Sequence, residues 1–268
     1  VEASYDAFVF DQWGVLHDGN RTYPGVLEVL SRLREAGKPV IILTNSSKSA
    51  SVNRRRLLER FAIEPDLYTE LISSADVMRD MVLERSWSVY VVAVGTDGAL
   101  FDHAPCRVVS TIEEAEMVAL LSVDPRADID SQLSWIEAAC ARGIPLMTAS
   151  ADLMTVTPEG ILEGISVVVK RFQSLGGRAL NVGKPEPLVY RQVKQLLRGV
   201  APHRILAVGD QLWTDVEGAN RQGLHSALVA TGAAAIQFSQ VHSPEEIVQM
   251  IKLLNGPLPT WVLPSLRW

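Results

Sequence analysis

The chain has 268 residues, 47% of them hydrophobic and 21% charged, and a formal net charge of −6. That length holds one large or two modest domains with a proper core, and the acidic balance argues against nucleic-acid or anionic-membrane partners, which need clustered Lys and Arg. Two cysteines, Cys106 and Cys140, without ligand-like spacing argue against a disulfide framework or a zinc site and read as small buried hydrophobes of a reducing compartment. In chain order, Val1–Asp6 has neither a basic start nor a long apolar region, and no later stretch reaches ~18 apolar residues. No signal peptide and no membrane span are expected, and the location expected is cytoplasmic. The apolar run Ala7–Phe10 then ends abruptly at Asp11. Apolar on both faces, it suits a central strand of a parallel sheet covered by helices. Pro24–Ala36 reads as a helix, and Pro39–Leu43 as a second buried strand that ends at Thr44-Asn45-Ser46-Ser47. This β-α-β order implies right-handed crossovers. Arg54-Arg55-Arg56 reads as the solvated face of a helix.

Between Ser73 and Leu180 the pattern changes. Strands are expected at Val89–Val94, Met117–Leu121 and Pro145–Thr148, with a helix near Asp130–Ala141. Residues 73–180 therefore read as a smaller inserted α/β domain, dividing a core made of 1–72 and 181–268. Beyond it come a helix at Leu188–Leu197, a strand Arg204–Val208 stopping at Gly209-Asp210, and another, Ser226–Val229, stopping at Ala230-Thr231-Gly232. Ser243-Pro244-Glu245-Glu246 is a capping box for a helix to about Leu254, and Gly256–Trp268 reads as an extended strap. The expected fold is a three-layer α/β/α doubly wound parallel sheet with an inserted α/β domain.

Ligands of open parallel sheets bind beyond the carboxyl ends of the strands. Asp11, Thr44-Asn45 and Asp210 stand at those ends, with Asp215 five positions on. Carboxylates gathered on one rim repel one another unless a cation joins them, and Mg²⁺ favours one or two carboxylates with waters and phosphate oxygens. Taken singly, Asp11 could cap a turn and Asp210 could form an Asx-turn. Lys184, between Gly183 and Pro185 before a helix, is either a point-charge partner for phosphate or a plain surface lysine.

Phe10-Asp11-Gln12-Trp13-Gly14-Val15-Leu16, Leu43-Thr44-Asn45-Ser46, Gly183-Lys184-Pro185 and Gly209-Asp210-Gln211-Leu212-Trp213-Thr214-Asp215 fall in the order of four motifs. Together they resemble the haloacid dehalogenase (HAD) superfamily. The long insertion after the second motif, with Ser74-Ala75-Asp76 and Gly183 to Pro187, resembles its class IIA branch, which carries a type-two α/β cap and includes nucleotidases and pyridoxal phosphate and phosphoglycolate phosphatases. The resemblance implies a Mg²⁺-dependent hydrolase of a small phosphorylated metabolite, with Asp11 as nucleophile through an aspartyl-phosphate. It implies that the Asp11 carboxylate, the Trp13 carbonyl, Asp210 and Asp215 hold the metal. Thr44 and the backbone of Asn45 would bind the phosphoryl oxygens, and Lys184 would neutralise developing charge and hold the nucleophile. Relatives include cap-mediated dimers, so a homodimer stays open for this chain.

One position departs from that pattern. Family phosphatases read Asp-x-Asp, the second Asp being the general acid; here it is Trp13, whose indole N–H cannot shuttle a proton at neutral pH. General acid–base help is worth ~10²–10⁴ in rate, so weak turnover is expected unless His17 or Asp18 substitutes. Two other readings stay open: a catalytically impaired phosphometabolite-binding protein, and a metal-free dehalogenase, whose nucleophile is also followed two residues on by an aromatic. Trp13 and Trp213 are candidates to line the entrance, with helix–sheet packing as the alternative for Trp213. The loop Ala149-Ser150-Ala151-Asp152 is the candidate specificity element.

Overall fold

The computed structural model describes residues 2–124, 133–150, 154–157, 160–163, 165–241 and 243–268. Its strands in chain order are β1 (Ala7–Phe10), β2 (Val40–Thr44), β3 (Glu70–Ser73), β4 (Ser88–Val92), β5 (Arg107–Val109), β6 (Met117–Leu120), β7 (Leu146–Thr148), β8 (Met154–Thr157), β9 (Gly160–Glu163), β10 (Ala179–Asn181), β11 (Ile205–Gly209), β12 (His225–Val229) and β13 (Trp261–Leu263). The helices are α1 (Val26–Glu35), α2 (Ala50–Phe61), α3 (Ser74–Glu84), α4 (Trp135–Ala141), α5 (Ser166–Ser174), α6 (Pro187–Leu196), α7 (Glu217–Arg221), α8 (Gly232–Gln237) and α9 (Pro244–Leu253).

A six-stranded sheet, ordered β13-β12-β11-β1-β2-β3, is parallel throughout. Its central strands are buried on both faces because alternate side chains enter different cores. Ala7, Val9, Ile41 and Leu43 pack into one cluster, while Phe8, Phe10, Val40 and Ile42 pack into another. That two-sided burial is the three-layer α/β/α arrangement expected. A second parallel sheet, ordered β10-β7-β6-β4-β5, and a β8-β9 hairpin lie between β3 and β11 in sequence. The first-face cluster runs on into it through Ala75 and Met78 of α3 to Val89, Met117 and Met147.

Several elements differ from expectation. The strap is not merely extended: β13 pairs in parallel with β12, and Trp261 Nε1 donates to Tyr5 Oη at 2.7 Å. Strands β3, β5, β10 and the β8-β9 hairpin had no expected counterpart. Ser73, assigned to the insertion, pairs with Thr44 in the first sheet, whereas Asn181, assigned to the core, pairs with Thr148 in the second. Of the expected helix near 130–141, Trp135–Ala141 is helical, and 130–132 lie outside the described residues. In the arginine run only Arg55 is fully exposed: Arg54 ion-pairs with Glu70, and the Arg56 guanidinium lies 5.5 Å over the Trp13 ring. Among the described residues no helix is long and apolar enough to cross a membrane.

Candidate active site

The carboxyl ends of β1 and β11 bring Asp11 and Asp210 side by side, and the π-helical turn Leu212–Val216 returns Asp215 to the same rim. One carboxylate oxygen from each of the three lies within 4.8 Å of the others. Two features of the backbone allow this. Glycine at 209 leaves room for Asp215, since a Cβ there would stand 2.1 Å from that of Asp215. Gly14, at φ +88°, runs so close that a Cβ would meet Asp210 Oδ2 at 2.0 Å. Asp215 Oδ2 accepts the N–H groups of Asp210 and Gln211 at 3.2 and 3.1 Å, which fixes its carboxylate.

Lys184 is the cation that meets this cluster. It is only 4% exposed, so it is no surface lysine. Its Nζ donates to Asp11 Oδ1 at 2.5 Å and to Asp215 Oδ1 at 2.6 Å. Burial by itself would lower the Lys184 pKa, but the charges of Asp11 and Asp215 outweigh it and hold the ammonium well above its ordinary value.

The loop carrying Lys184 is clamped from the second strand. Asn45 accepts the Lys184 N–H on its side-chain oxygen at 2.7 Å and donates its amide to the Lys184 carbonyl at 3.0 Å. Gly183 is required there, because a Cβ would meet Ala149 O at 2.1 Å and Asn45 Oδ1 at 2.4 Å. Asn181 completes the turn by bonding both Gly183 and Lys184. The side-chain role of Asn45 was not anticipated: a side chain bridging 139 positions to a backbone leaves no periodic mark. Thr44 is buried at the end of β2, beside these groups.

Three carboxylates and one ammonium leave two negative charges. Lys184 pairs with Asp11 and Asp215, whereas Asp210 Oδ2 accepts from Ala233 N at 2.6 Å and its buried Oδ1 has no hydrogen-bond partner among the described residues. Burial, then the charges of Asp11 and Asp215, push its carboxyl well above the usual range. Asp210 is therefore not explained by an Asx-turn. An orphaned buried oxygen amid hard oxygen donors suits a divalent cation such as Mg²⁺. Lys184→Met should leave the charges of Asp11 and Asp215 unpaired and cost about 3–5 kcal/mol of stability, measurable by urea denaturation in chelator.

The Trp13 indole folds back within its own loop. Its ring packs against Gly19, meets His17 edge-on at 5.2 Å and lies under Arg56. Trp213 is 45% exposed, which overturns helix–sheet packing for it. Ala151 and Asp152 of the expected specificity loop lie outside the described residues; Ala149 and Ser150 follow the end of β7.

Neither replacement acid survives the geometry. His17 is fully buried, stacked on Phe61 at 3.9 Å, with Nδ1 accepting from Gly19 N and Nε2 facing the Gln12 amide at 3.2 Å. Burial, then the charge of Arg56, lowers its pKa to about 3, so it is neutral at pH 7. Burial pulls Asp18 upward, but the N–H groups of Arg21 and Asn20 and the Arg21 guanidinium hold it below its ordinary value. Its carboxyl carries no proton to give. A histidine kept neutral only in the folded state stabilises fully above pH 6.5 and progressively less as pH falls towards 3. The loss over that window is on the order of 5 kcal/mol. His17→Gln should be less stable than the parent at pH 7 yet lose less between pH 6.5 and 4, as thermal melts would show.

A sequence model described as Haloacid dehalogenase-like hydrolase matches residues 8–104, and a second, HAD-hydrolase-like, matches residues 181–267. The chain is a haloacid dehalogenase-like hydrolase. Asp11 lies within the first match and Lys184, Asp210 and Asp215 within the second, while β6 and β7 fall in the interval between them. Chronophin of Bos taurus is 27% identical over 252 residues, 87% of this chain and 84% of its own length. The D-glycerol 3-phosphate phosphatase of Mycobacterium tuberculosis is 27% identical over 281 residues, 97% of this chain and 76% of that one. A haloacid dehalogenase-like hydrolase from Brucella suis superposes with a TM-score of 0.80 at 25% identity, covering 98% of this chain and 96% of that chain. In this HAD-like hydrolase the first motif reads Asp11-Gln12-Trp13.

Proposed function

We infer that this chain is a Mg²⁺-dependent phosphatase of a small phosphorylated metabolite, sugar phosphates foremost, working through an aspartyl-phosphate on Asp11. The observation that carries this is Asp11 placed between Lys184, at 2.5 Å, and two further carboxylates within 4.8 Å. The names of relatives, sugar-phosphatase AraL of Bacillus subtilis and D-glycerol 3-phosphate phosphatase, support the substrate class.

Asp11, Asp210 and the Trp13 carbonyl would hold the ion, with Asp215 behind them. Mg²⁺ supplies positive charge that brings phosphoryl oxygens up to an anionic nucleophile. The residues do the remainder. Lys184 keeps Asp11 ionised and aims its carboxylate. Asp11 attacks phosphorus as the ester oxygen leaves, and water then hydrolyses the acyl phosphate, regenerating Asp11. Thr44 and the Asn45 backbone would bond the phosphoryl oxygens, while Asn45's side chain holds Lys184 in register. Most of the acceleration would come from this positioning and charge. Residues 73–180 would form the cap, consistent with Ala149 O lying against Gly183.

The leaving group would depart without an acid. With Trp13 at that position, His17 neutral and Asp18 ionised, turnover of alkyl phosphates would be slow and turnover of aryl phosphates, whose better leaving groups need less help from an acid, faster. The same feature favours one second reading, a phosphometabolite-binding protein without turnover. The orphaned Asp210 oxygen argues against a metal-free dehalogenase, which has no use for a carboxylate there.

A panel of sugar phosphates and 4-nitrophenyl phosphate, with Mg²⁺ or EDTA, tests the reading. Phosphate release confined to the Mg²⁺ series is expected; release unaffected by EDTA would overturn it. Mg²⁺ at a hundred times its Kd should stabilise the protein by about 2.7 kcal/mol, and Asp210→Asn should lose most of that increment in thermal melts.

A further inference from the structure

Beneath the Lys184 ammonium, on the side away from the rim, lies a cavity of ≈ 10 Å³. Four polar residues line it, Asp11, Lys184, Asp215 and Tyr190, over an aliphatic floor that includes Val9 and Leu43. The first three belong to the candidate site. Tyr190, on the inward face of α6, does not.

Tyr190 is 1% exposed and packs in the core cluster with Val189 and Val193. Its hydroxyl is held in a made space. A Cβ at Gly218 of α7 would stand 2.4 Å from the Tyr190 oxygen and 3.1 Å from Pro185 Cα. The phenol tip thus sits where the Lys184 loop meets the helix that follows Asp215. The charges of Lys184, Asp215 and Asp11, which line the same cavity, all act on this phenol.

A cavity of this size holds one water, provided two to four polar partners surround it. Here the partners are complementary. Carboxylates only accept, so both water hydrogens must go to them; the phenol can donate to the water oxygen. Burial pushes the pKa of that phenol up, so it stays protonated. We propose that one trapped water links Tyr190 Oη to the Asp11 and Asp215 carboxylates, making Tyr190 a positioning residue for the nucleophile. Tyr190 donates to the water, and the water donates to one oxygen of each carboxylate. Asp11 and Asp215 are then held from below as well as by Lys184, whose third N–H is left to face the phosphoryl group. This role rests on the phosphatase reading above, but the water itself does not.

Two measurements separate them. A crystal structure of the wild type, at a resolution that shows ordered solvent, should contain one water in this cavity, whatever the enzyme's activity. A dry cavity overturns the inference. Tyr190→Phe keeps the ring and the packing, so its melting temperature should stay within a few degrees of the parent. Its kcat on 4-nitrophenyl phosphate with Mg²⁺ should fall about tenfold, with KM changed less than twofold, because the deletion acts on the nucleophile and not on substrate contacts. Gly218→Ala, which crowds the hydroxyl, should reproduce part of that kcat loss. Should Tyr190→Phe lose stability while kcat is unmoved, Tyr190 is packing alone and the proposal fails. Should the wild type release no phosphate in Mg²⁺, the phosphatase reading fails instead, and the crystallographic water is still read independently.

Discussion

Asp11→Asn should reduce phosphate release by at least about a thousandfold while the folded structure persists. The substitution is nearly isosteric and removes one negative charge from a cluster that carries an excess of two. Lys184 keeps Asp215 as an ion-pair partner at 2.6 Å, so no buried ammonium is stranded. Asp210 loses a repelling neighbour. Stability in EDTA should therefore be unchanged or higher, which separates a chemical role from a structural one. An amide oxygen is too poor a nucleophile for phosphorus, and it also weakens a metal ligand. A thousandfold fall with an intact melting transition fits Asp11 as nucleophile; retention of more than a tenth of the activity excludes it.

Trp13→Asp is expected to act in the opposite direction, raising kcat on 4-nitrophenyl phosphate at least about tenfold and on alkyl phosphates more. The gain depends on supplying an acid where neither His17 nor Asp18 can give a proton. Loss of the indole opens space beside Gly19 and under Arg56, and the unpaired contacts should lower stability by about 1–3 kcal/mol. Trp13→Asn is the control, since it opens the same space without an ionisable group. A gain from Asp but not from Asn assigns the effect to proton transfer. Equal rates in both, or no gain in either, would mean that Trp13 does not limit turnover.

The parts of the molecule that were legible in the sequence share a physical cause. Strands β1, β2, β11 and β12 are buried on both faces, so each appears as an apolar run that stops at a polar residue. Asp11 and Asp210 could be found because a carboxylate at such a stop is conspicuous. Strands β3, β5, β10 and β13 are short, sit at sheet edges and mix in residues such as Glu70, Arg107 and Asn181, so no run announces them. The boundary of the insertion slipped for that reason, with Ser73 and Asn181 each on the other sheet from the one expected. Burial of polar groups was the other blind spot. His17 reads as a loop residue but stacks on Phe61 forty-four positions away, and Lys184, which read alone could be a plain surface lysine, is buried against two carboxylates. Tyr190 is one of several apolar positions on an amphipathic helix until the cavity beside its hydroxyl is seen.

The central claim is that Asp11 and Asp210 share one divalent ion at the rim of the first sheet. Crystals grown with Mn²⁺ in place of Mg²⁺ and measured at the manganese edge test it most directly. A single anomalous peak at about 2.1–2.3 Å from carboxylate oxygens of both residues is predicted, at the spacing usual for a hard octahedral cation. A peak bound to neither residue, or none at saturating Mn²⁺, would contradict it.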